Sequence, residues 1–109
     1  MREINLAEYQ VTQKVKGGDG KIIEISGPYN VRDSILNLMF QRELQLTGAE
    51  LVKQNMLAIK IESCVKDVIL LENEEYSRIK RAIDTFKGFA RSDVEFVSRI
   101  NDAEEVAVK

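Results

Sequence analysis

The chain contains no histidine, and its 109 residues include only one cysteine and one proline. Histidine is the side chain whose unperturbed pKa lies nearest neutrality, and it is the commonest metal ligand in proteins. Without histidine, acid–base catalysis would fall to carboxylates or lysines with displaced pKa values. A hydrolase that uses only carboxylates is conceivable, but no pair of acidic residues stands out at a spacing that would place both in one pocket. We therefore expect a protein that is not an enzyme, with no catalytic residue, no metal site and no cofactor.

Two further absences bear on where the protein works. The lone Cys64 cannot form an internal disulfide, which favours a reducing compartment such as the cytoplasm. The longest aliphatic run is Val68-Ile69-Leu70-Leu71, which is far too short to cross a bilayer. No apolar leader with a cleavage site is evident at the start of the sequence. We expect a soluble, cytoplasmic protein that has no membrane partner.

Length and composition are those of an ordinary globular domain. Hydrophobic residues make up 44% and charged residues 31% of the chain, so residues 1–109 are expected to form a single domain around one core. The net charge of −2 argues against a general binder of polyanions, because such domains are usually strongly basic.

The N-terminal region has the pattern of a β-hairpin. Tyr9, Val11 and Val15 alternate with polar residues, and a second strand-like run covers residues 22–25. A glycine-rich turn separates the two runs, as a tight reversal requires. The hairpin is predicted over residues 8–26, and pairing is expected to stop at Gly27-Pro28 because proline has no N–H to donate. The Gly-Lys pair in the turn lacks the flanking residues of a phosphate-binding loop.

The remainder has the signals of about four helices. Asn30 is a candidate N-cap for a helix that runs to about Glu43, and residues 47–50 form a capping box for a second helix that runs to about Ser63. A third helix begins after residue 72 or 73 and ends at Gly88. A second capping box, residues 92–95, opens a short fourth helix.

These elements predict an α+β fold, with an N-terminal hairpin followed by a helical body over residues 30–101. Residues 66–71 fit either a short buried strand or the lead into a helix, and we favour the strand. Residues 102–109 are acidic and then small and apolar, which is typical of a tail.

The predicted second helix carries apolar residues on two sides. Leu51, Val52, Met56 and Ile59 lie on one flank, whereas Leu57 and Ile61 lie on the other. A helix that is apolar on two sides is covered on two sides. It is therefore either the central element of the monomer or part of a subunit interface.

Three segments are candidate interaction sites. The first is the hairpin turn, which is able to project as an arm tipped by Gly17, Gly18, Asp19 and Gly20. The second is the C-terminal tail with its apolar residues Val106 and Val108. The third is a group of basic residues along the third helix and just beyond it, of which we select Arg78, Arg81, Lys87 and Arg91. These basic residues suit either phosphates or an acidic protein surface, but a plain solvated helix face with internal ion pairs is the interpretation that we favour.

The C-terminal third resembles small bacteriophage proteins that accompany virion genes. The resemblance is carried by residues 70–82, by Phe86-Lys87-Gly88-Phe89 and by residues 92–97. It implies a small viral structural or accessory protein, located in the host cytoplasm or in the virion. It assigns no functional residue.

The sequence favours a protein that works by assembly. We expect a non-enzymatic interaction protein that self-associates, as a homo-oligomer, or docks onto a larger assembly such as a virion. The alternative is a small regulator or inhibitor that binds nucleic acid or an acidic protein surface through the basic third helix. The acidic net charge and the lack of interleaved aromatic residues make nucleic acid the less favoured partner.

Overall fold

A computed structural model describes residues 1–107 of the chain. It contains five strands, four α-helices and two short 3₁₀ helices. The strands are β1 (Arg2–Asn5), β2 (Tyr9–Lys16), β3 (Ile22–Tyr29), β4 (Val68–Leu71) and β5 (Glu104–Glu105). The α-helices are α1 (Val31–Met39), α2 (Gly48–Ser63), α3 (Asn73–Thr85) and α4 (Val94–Asn101). The 3₁₀ helices are Arg42–Leu44 and Arg91–Asp93.

The strands form two separate antiparallel sheets. One sheet has three strands in the order β4-β1-β5, so that elements from both ends of the chain meet. In it Ile4 lies opposite Ile69, and Arg2 lies between Leu71 on one side and Glu105 on the other. The second sheet is the two-stranded β2-β3 hairpin, which pairs from Tyr9 opposite Tyr29 to Lys16 opposite Ile22.

The core lies between the helices and one face of the three-stranded sheet. Side chains alternate along β1 and β4, so Ile4, Ile69 and Leu71 are buried while Glu3 and Asn5 on the other face are exposed. The helices contribute most of the other large buried side chains, among them Val31, Ile35, Met39, Ile61, Ile79, Phe96 and Ile100. The one buried polar residue in residues 1–107, Gln54, donates from Nε2 to the carbonyl of Met39 at 3.1 Å.

The predicted α+β class is confirmed, with an N-terminal hairpin, four helices and a strand within residues 66–71. Two predicted caps are also confirmed. The side chain of Asn30 accepts from the amide of Asp33 at 3.0 Å, and that of Thr47 accepts from the amide of Glu50 at 3.2 Å. These features follow from residues close together in sequence, which is why local patterns reveal them.

Several predicted boundaries are wrong. Pairing of the hairpin does not stop at Gly27-Pro28 but continues to Tyr29, because a two-stranded ribbon has free outer edges on which proline costs no ladder bond. Helix α1 ends at Met39, and the segment up to Leu44 turns into a 3₁₀ helix that ends with Gln45 at a φ of 50°. Gly88 does adopt a positive φ of 113°, but α3 has already ended at Thr85.

The C-terminal half differs in two more places. Ser92 does not cap the fourth helix, because a 3₁₀ turn precedes it and Asp93 accepts from the amide of Ala90 at 2.7 Å. Within the described part of the predicted tail, Ala103 is buried and β5 pairs with β1. Neither β1 nor β5 was expected, because each is short and depends on a partner distant in sequence. Among residues 1–107, no helix is both long enough and apolar enough to span a membrane.

Phe96 gives the first testable prediction. Its side chain is fully buried and touches both the helical core and the root of the hairpin. Replacing it with alanine is expected to lower the free energy of unfolding by about 3–5 kcal/mol, because a large cavity remains. Urea denaturation followed by circular dichroism measures the loss. The control Val94→Ala, at a position in the same helix that is 60% exposed, should change the free energy by no more than about 0.5 kcal/mol.

Candidate functional site

The β2-β3 hairpin, called the arm below (residues 9–29), extends away from the rest of the protein. The chain measures 56 × 33 × 22 Å along its principal axes, and its radius of gyration is 16.0 Å. A compact domain of this length has a radius of gyration of about 13 Å. The excess arises because the outer part of the arm packs against nothing else in residues 1–107.

The register of the arm divides its side chains between two faces. Directly opposed residues of an antiparallel pair lie on the same face. One face therefore carries Val11, Val15, Ile23 and Ile25, and this set is called the arm face below. Ile23 is 52% exposed and Ile25 is 54% exposed, which is unusual for isoleucine. The opposite face carries Gln10, Thr12, Lys14, Ser26 and the Lys16–Ile22 pair.

Two stacked tyrosines connect the arm to the core. The rings of Tyr9 and Tyr29 lie 4.6 Å apart and are nearly parallel, with an angle of 13° between their planes. Tyr29 also lies 5.8 Å from the ring of the buried Phe96. Tyr9 and Tyr29 belong to the same side of the ribbon as the arm face, so this side of the arm meets the core at its base.

Hydrogen bonds hold both tyrosines in place. The hydroxyl of Tyr9 donates to the carbonyl of Ser92 at 2.9 Å and accepts from the amide of Phe96 at 3.1 Å. The hydroxyl of Tyr29 donates to Oδ1 of Asp93 at 2.5 Å. Burial, and then the hydrogen bond to Asp93, raise the pKa of Tyr29 well above its ordinary value. Burial likewise raises the pKa of Tyr9.

Arg99 adds a third connection at the base of the arm. Its guanidinium lies 5.1 Å from the centre of the Tyr9 ring and donates to the carbonyl of Ala7 at 2.6 Å. It also forms an ion pair with Glu95, one turn earlier in α4, at 2.7 Å. The base of the arm is thus bound to α4 by stacking, by hydrogen bonds and by a cation over an aromatic ring, so its direction is well defined.

The predicted turn residues lie together at the far end of the arm. The amide of Gly17 donates to the carbonyl of Lys21 at 2.7 Å, and the amide of Gly20 donates to the carbonyl of Gly17 at 3.0 Å. Position 20 requires glycine because its φ is 83°. Oδ1 of Asp19 accepts a hydrogen bond from the amide of Lys21 at 3.1 Å. Gly18 lies in the same turn with open space around it. These contacts show that the predicted turn residues close the hairpin.

The second exposed apolar surface lies on α2. Val52, Met56 and Ile59 follow a spacing of four and three residues, so they form one line along the helix, called the ridge below. Met56 is 66% exposed and Val52 is 61% exposed. The opposite side of α2 contributes buried Leu57, Ala58 and Ile61 to the core. The inner side of α2 therefore packs in the core of the monomer, and its outer side is exposed.

A groove of about 450 Å³ runs beside the ridge, between α2 and α3. Met56 and Leu57 provide its apolar surface. Lys53 and Lys60 line it from α2, and Glu74, Glu75 and Arg78 line it from α3. The two walls exchange ion pairs, at 3.8 Å for Lys53–Glu74 and 2.8 Å for Lys60–Glu75.

Arg78 and Arg81, two of the predicted basic residues, are held by the protein itself. Arg78 donates to the buried Gln54 at 3.3 Å and pairs with Glu74 at 3.4 Å. Arg81 donates to the carbonyl of Leu44 at 2.9 Å and pairs with Glu50 at 3.2 Å. Both guanidinium groups therefore connect α3 to neighbouring elements, which the sequence did not reveal.

Lys87 and Arg91 lie outside α3. Both are exposed, Lys87 in the segment after the helix and Arg91 in the second 3₁₀ helix. Because α3 ends at Thr85, only Arg78 and Arg81 of the four selected basic residues belong to the third helix. Arg91 instead lines a groove of about 420 Å³ with Tyr9 and Val11 at the base of the arm.

The structure describes one of the two predicted apolar residues of the tail, Val106. Val106 is half-buried, and its amide donates to the carbonyl of Met1 at 2.7 Å, so it continues the pairing between the two ends of the chain. Val108 lies outside the described residues. Within residues 1–107, no three His, Cys, Asp or Glu residues are grouped closely enough to hold a metal ion.

The arm face is the feature that sequence patterns captured only in part. The alternation of Tyr9, Val11 and Val15 was recognised, but the contribution of Ile23 and Ile25 depends on the register of the pair. The anchoring of Tyr29 by Asp93 was missed because 64 residues separate the two. No protein-family model matches the chain, and no curated protein and no solved structure has significant similarity to it.

The raised pKa values of the two tyrosines predict a loss of stability in alkaline solution. The folded protein favours the neutral phenols, whereas in the unfolded chain they ionise near pH 10. Their contribution is therefore complete below about pH 10 and is lost as the pH rises through the higher values of the folded state. Urea denaturation between pH 8 and 11 should show a falling free energy of unfolding.

The variant Tyr29→Phe tests the assignment of this alkaline loss of stability to the tyrosines at the base of the arm. At neutral pH we expect a loss of about 1–2 kcal/mol, because the hydrogen bond to a carboxylate disappears. Above pH 10 the decline should be shallower than in the unsubstituted protein, because one of the responsible phenols is absent. An equally steep decline in this variant would contradict the assignment.

Proposed function

We propose that the protein is a non-enzymatic assembly protein that acts by self-association through its arm. The observation that carries this proposal is the arm face, on which Val15, Ile23 and Ile25 are exposed in the described chain. Monomeric proteins rarely leave contiguous apolar surface of this kind exposed unless it meets a partner.

The energetics of the arm support the proposal. A two-stranded hairpin that packs against nothing is marginally stable in water. Complete burial of one aliphatic side chain stabilises a protein or complex by about 1.5–3 kcal/mol. Ile23 and Ile25 are about half exposed, so contact with a partner could add about half of that stabilisation for each. Association would therefore stabilise both the complex and the arm itself.

The anchored base of the arm also supports the proposal. Tyr9, Tyr29 and Arg99 hold the arm in one direction, so little conformational freedom is lost when its face meets a partner. Such preorganisation raises affinity without additional contacts. A loop that served only to connect β2 with β3 would need no such anchoring.

The setting within a virion rests on the resemblance of residues 70–97 alone. The alternative function, binding of nucleic acid or an acidic surface by the basic residues, has less support. Arg78 and Arg81 already have carboxylate and carbonyl partners within the chain, and Lys87 and Arg91 lie outside their helix.

The double substitution Ile23→Ser/Ile25→Ser tests the proposal. Both positions are exposed, so the fold should be retained while the arm face loses most of its apolar area. Light scattering at micromolar concentration is expected to show an oligomer for the unsubstituted protein and at least a roughly tenfold weaker association for the variant.

The matched control is Ile22→Ser. Ile22 is 69% exposed and neighbours Ile23, but it lies on the opposite face of the ribbon. It should leave the oligomer unchanged. A strictly monomeric unsubstituted protein, or equal weakening by the control, would count against the arm face as the contact.

A further inference from the structure

We propose that strand β4 pairs in antiparallel fashion with β4 of a second copy of the chain, so that two three-stranded sheets join into one. In the order β4-β1-β5, strand β4 lies at an edge, and within residues 1–107 no strand pairs with its outer side. The contact does not involve the arm, so it gives each copy a second surface for assembly.

The ladder of the sheet shows which backbone groups of β4 point outwards. The amide of Leu6 donates to the carbonyl of Asp67 at 2.5 Å, in the register in which β1 pairs with β4. Bonded and non-bonded pairs alternate along an antiparallel ladder, so Val68 and Leu70 point their N–H and C=O groups away from β1. Among the described residues, only the thiol of Cys64 bonds to these groups, at 3.6 Å from the carbonyl of Val68. A carbonyl oxygen has two lone pairs and can accept a second donor.

The sequence of β4 does nothing to protect this edge. Edge strands are usually protected by lysine, by proline or by a bulge. Residues 68–71 are Val-Ile-Leu-Leu, and they pair with β1 in unbroken register. The face of β4 that points away from the core is apolar as well, with Val68 38% and Leu70 41% exposed. Such an edge is a template for pairing with another strand.

Symmetric pairing of two β4 edges uses every outward backbone group. When Val68 lies opposite the partner's Leu70, the two residues exchange both of their hydrogen bonds, and the twofold symmetry repeats the exchange. The two copies of Ile69 then face each other at the axis. This contact is isologous, so it needs only one surface on each copy and closes as a dimer.

Registers shifted by two residues would need backbone groups that are already bonded. At one end, the single N–H of Glu72 donates to Oε1 of Glu75 at 2.8 Å. At the other end, the carbonyl of Lys66 accepts from the guanidinium of Arg32 and from the thiol of Cys64 at 3.5 Å, so both of its lone pairs are used. The symmetric register is therefore the one that uses free groups.

The charges at the two ends of β4 identify the partner strand as a second copy of β4. In the symmetric register, Lys66 lies opposite the partner's Glu72, and Glu72 lies opposite the partner's Lys66. Both residues are exposed, and neither belongs to an ion pair within the part of the chain that the structure describes. Opposite charges on paired strands stabilise the pair. Because backbone groups alone select the register, this match of charge is an independent observation.

The contact between two edges is weak by itself. A strand of four residues buries far less than the about 800 Å² per partner of a standard interface, so we expect a dissociation constant on the order of 1 mM. When arms hold several copies together, the effective concentration of neighbouring edges rises. The edge contact then adds to the arm contact, and the two together extend the assembly beyond a dimer.

Charge exchange across the edge tests the inference. All proteins carry Ile23→Ser/Ile25→Ser, so that association through the arm face does not contribute. Lys66→Glu and Glu72→Lys each place like charges opposite one another at both ends of the paired strands. The matched control is Lys21→Glu, which makes the same change of charge at the exposed turn of the arm. Circular dichroism verifies that each variant keeps its helix content.

Amide chemical shifts measured by NMR on dilution from about 1 mM provide the readout. In the arm variant, the amides of Val68 and Leu70 should shift with concentration. Lys66→Glu and Glu72→Lys should each weaken association about tenfold. An equimolar mixture of the two should restore it, because opposite charges then meet at both ends. The control should leave it unchanged.

The other outcomes overturn the inference without touching the proposed role of the arm. If the amides of Val68 and Leu70 do not shift on dilution, the edges do not pair. If they shift equally in both charge variants, the strands pair in another register or with another strand. If the variants weaken association and their mixture does not restore it, β4 does not face β4.

Discussion

The stack of Tyr9 and Tyr29 over Phe96 is the interaction on which the shape of this protein depends. It is the point at which the hairpin joins the core, and hydrogen bonds to Ser92, the amide of Phe96 and Asp93 complete it. Because these partners all belong to α4 or the turn before it, the direction of the arm is coupled to the position of that helix. A change in α4 packing would therefore redirect the arm, although the two are distant in sequence.

The core beneath the stack is closed by a second long-range arrangement. Strand β1 lies between β4 and β5, so the first residues of the chain pair with residues near 70 and near 104. Arg2 reinforces this sheet, because it donates to the carbonyl of Ala103 at 2.7 Å and lies 5.0 Å from the ring of Tyr76. The sheet that closes this side of the core therefore contains no strand of the arm.

The distance in sequence between interacting residues determines which features could be predicted and which could not. The hairpin turn, the Asn30 cap and the Thr47 cap each depend on residues within a few positions, and all three were predicted. Strand β1 has only four residues, and β5 has only two, so neither has a pattern of its own. The contacts of Arg78 with Gln54 and of Arg81 with Glu50 and Leu44 were likewise invisible, because they depend on the packing of α3 against α2 and the first 3₁₀ helix. For the arm, alternation indicated one apolar face, but only the register showed how large it is.

The edges of the arm explain why its face, rather than its backbone, is the surface to consider for assembly. A free two-stranded ribbon offers unpaired N–H and C=O groups on both sides, which invites uncontrolled pairing with other strands. Here Pro28 removes a donor from β3, and Lys14 and Lys16 place charge along β2. Lysine and proline at such edges oppose continuous sheet formation between copies. The exposed valines and isoleucines then remain as the part of the arm able to gain free energy from contact. The register of the pair and the anchored base give this face a defined direction.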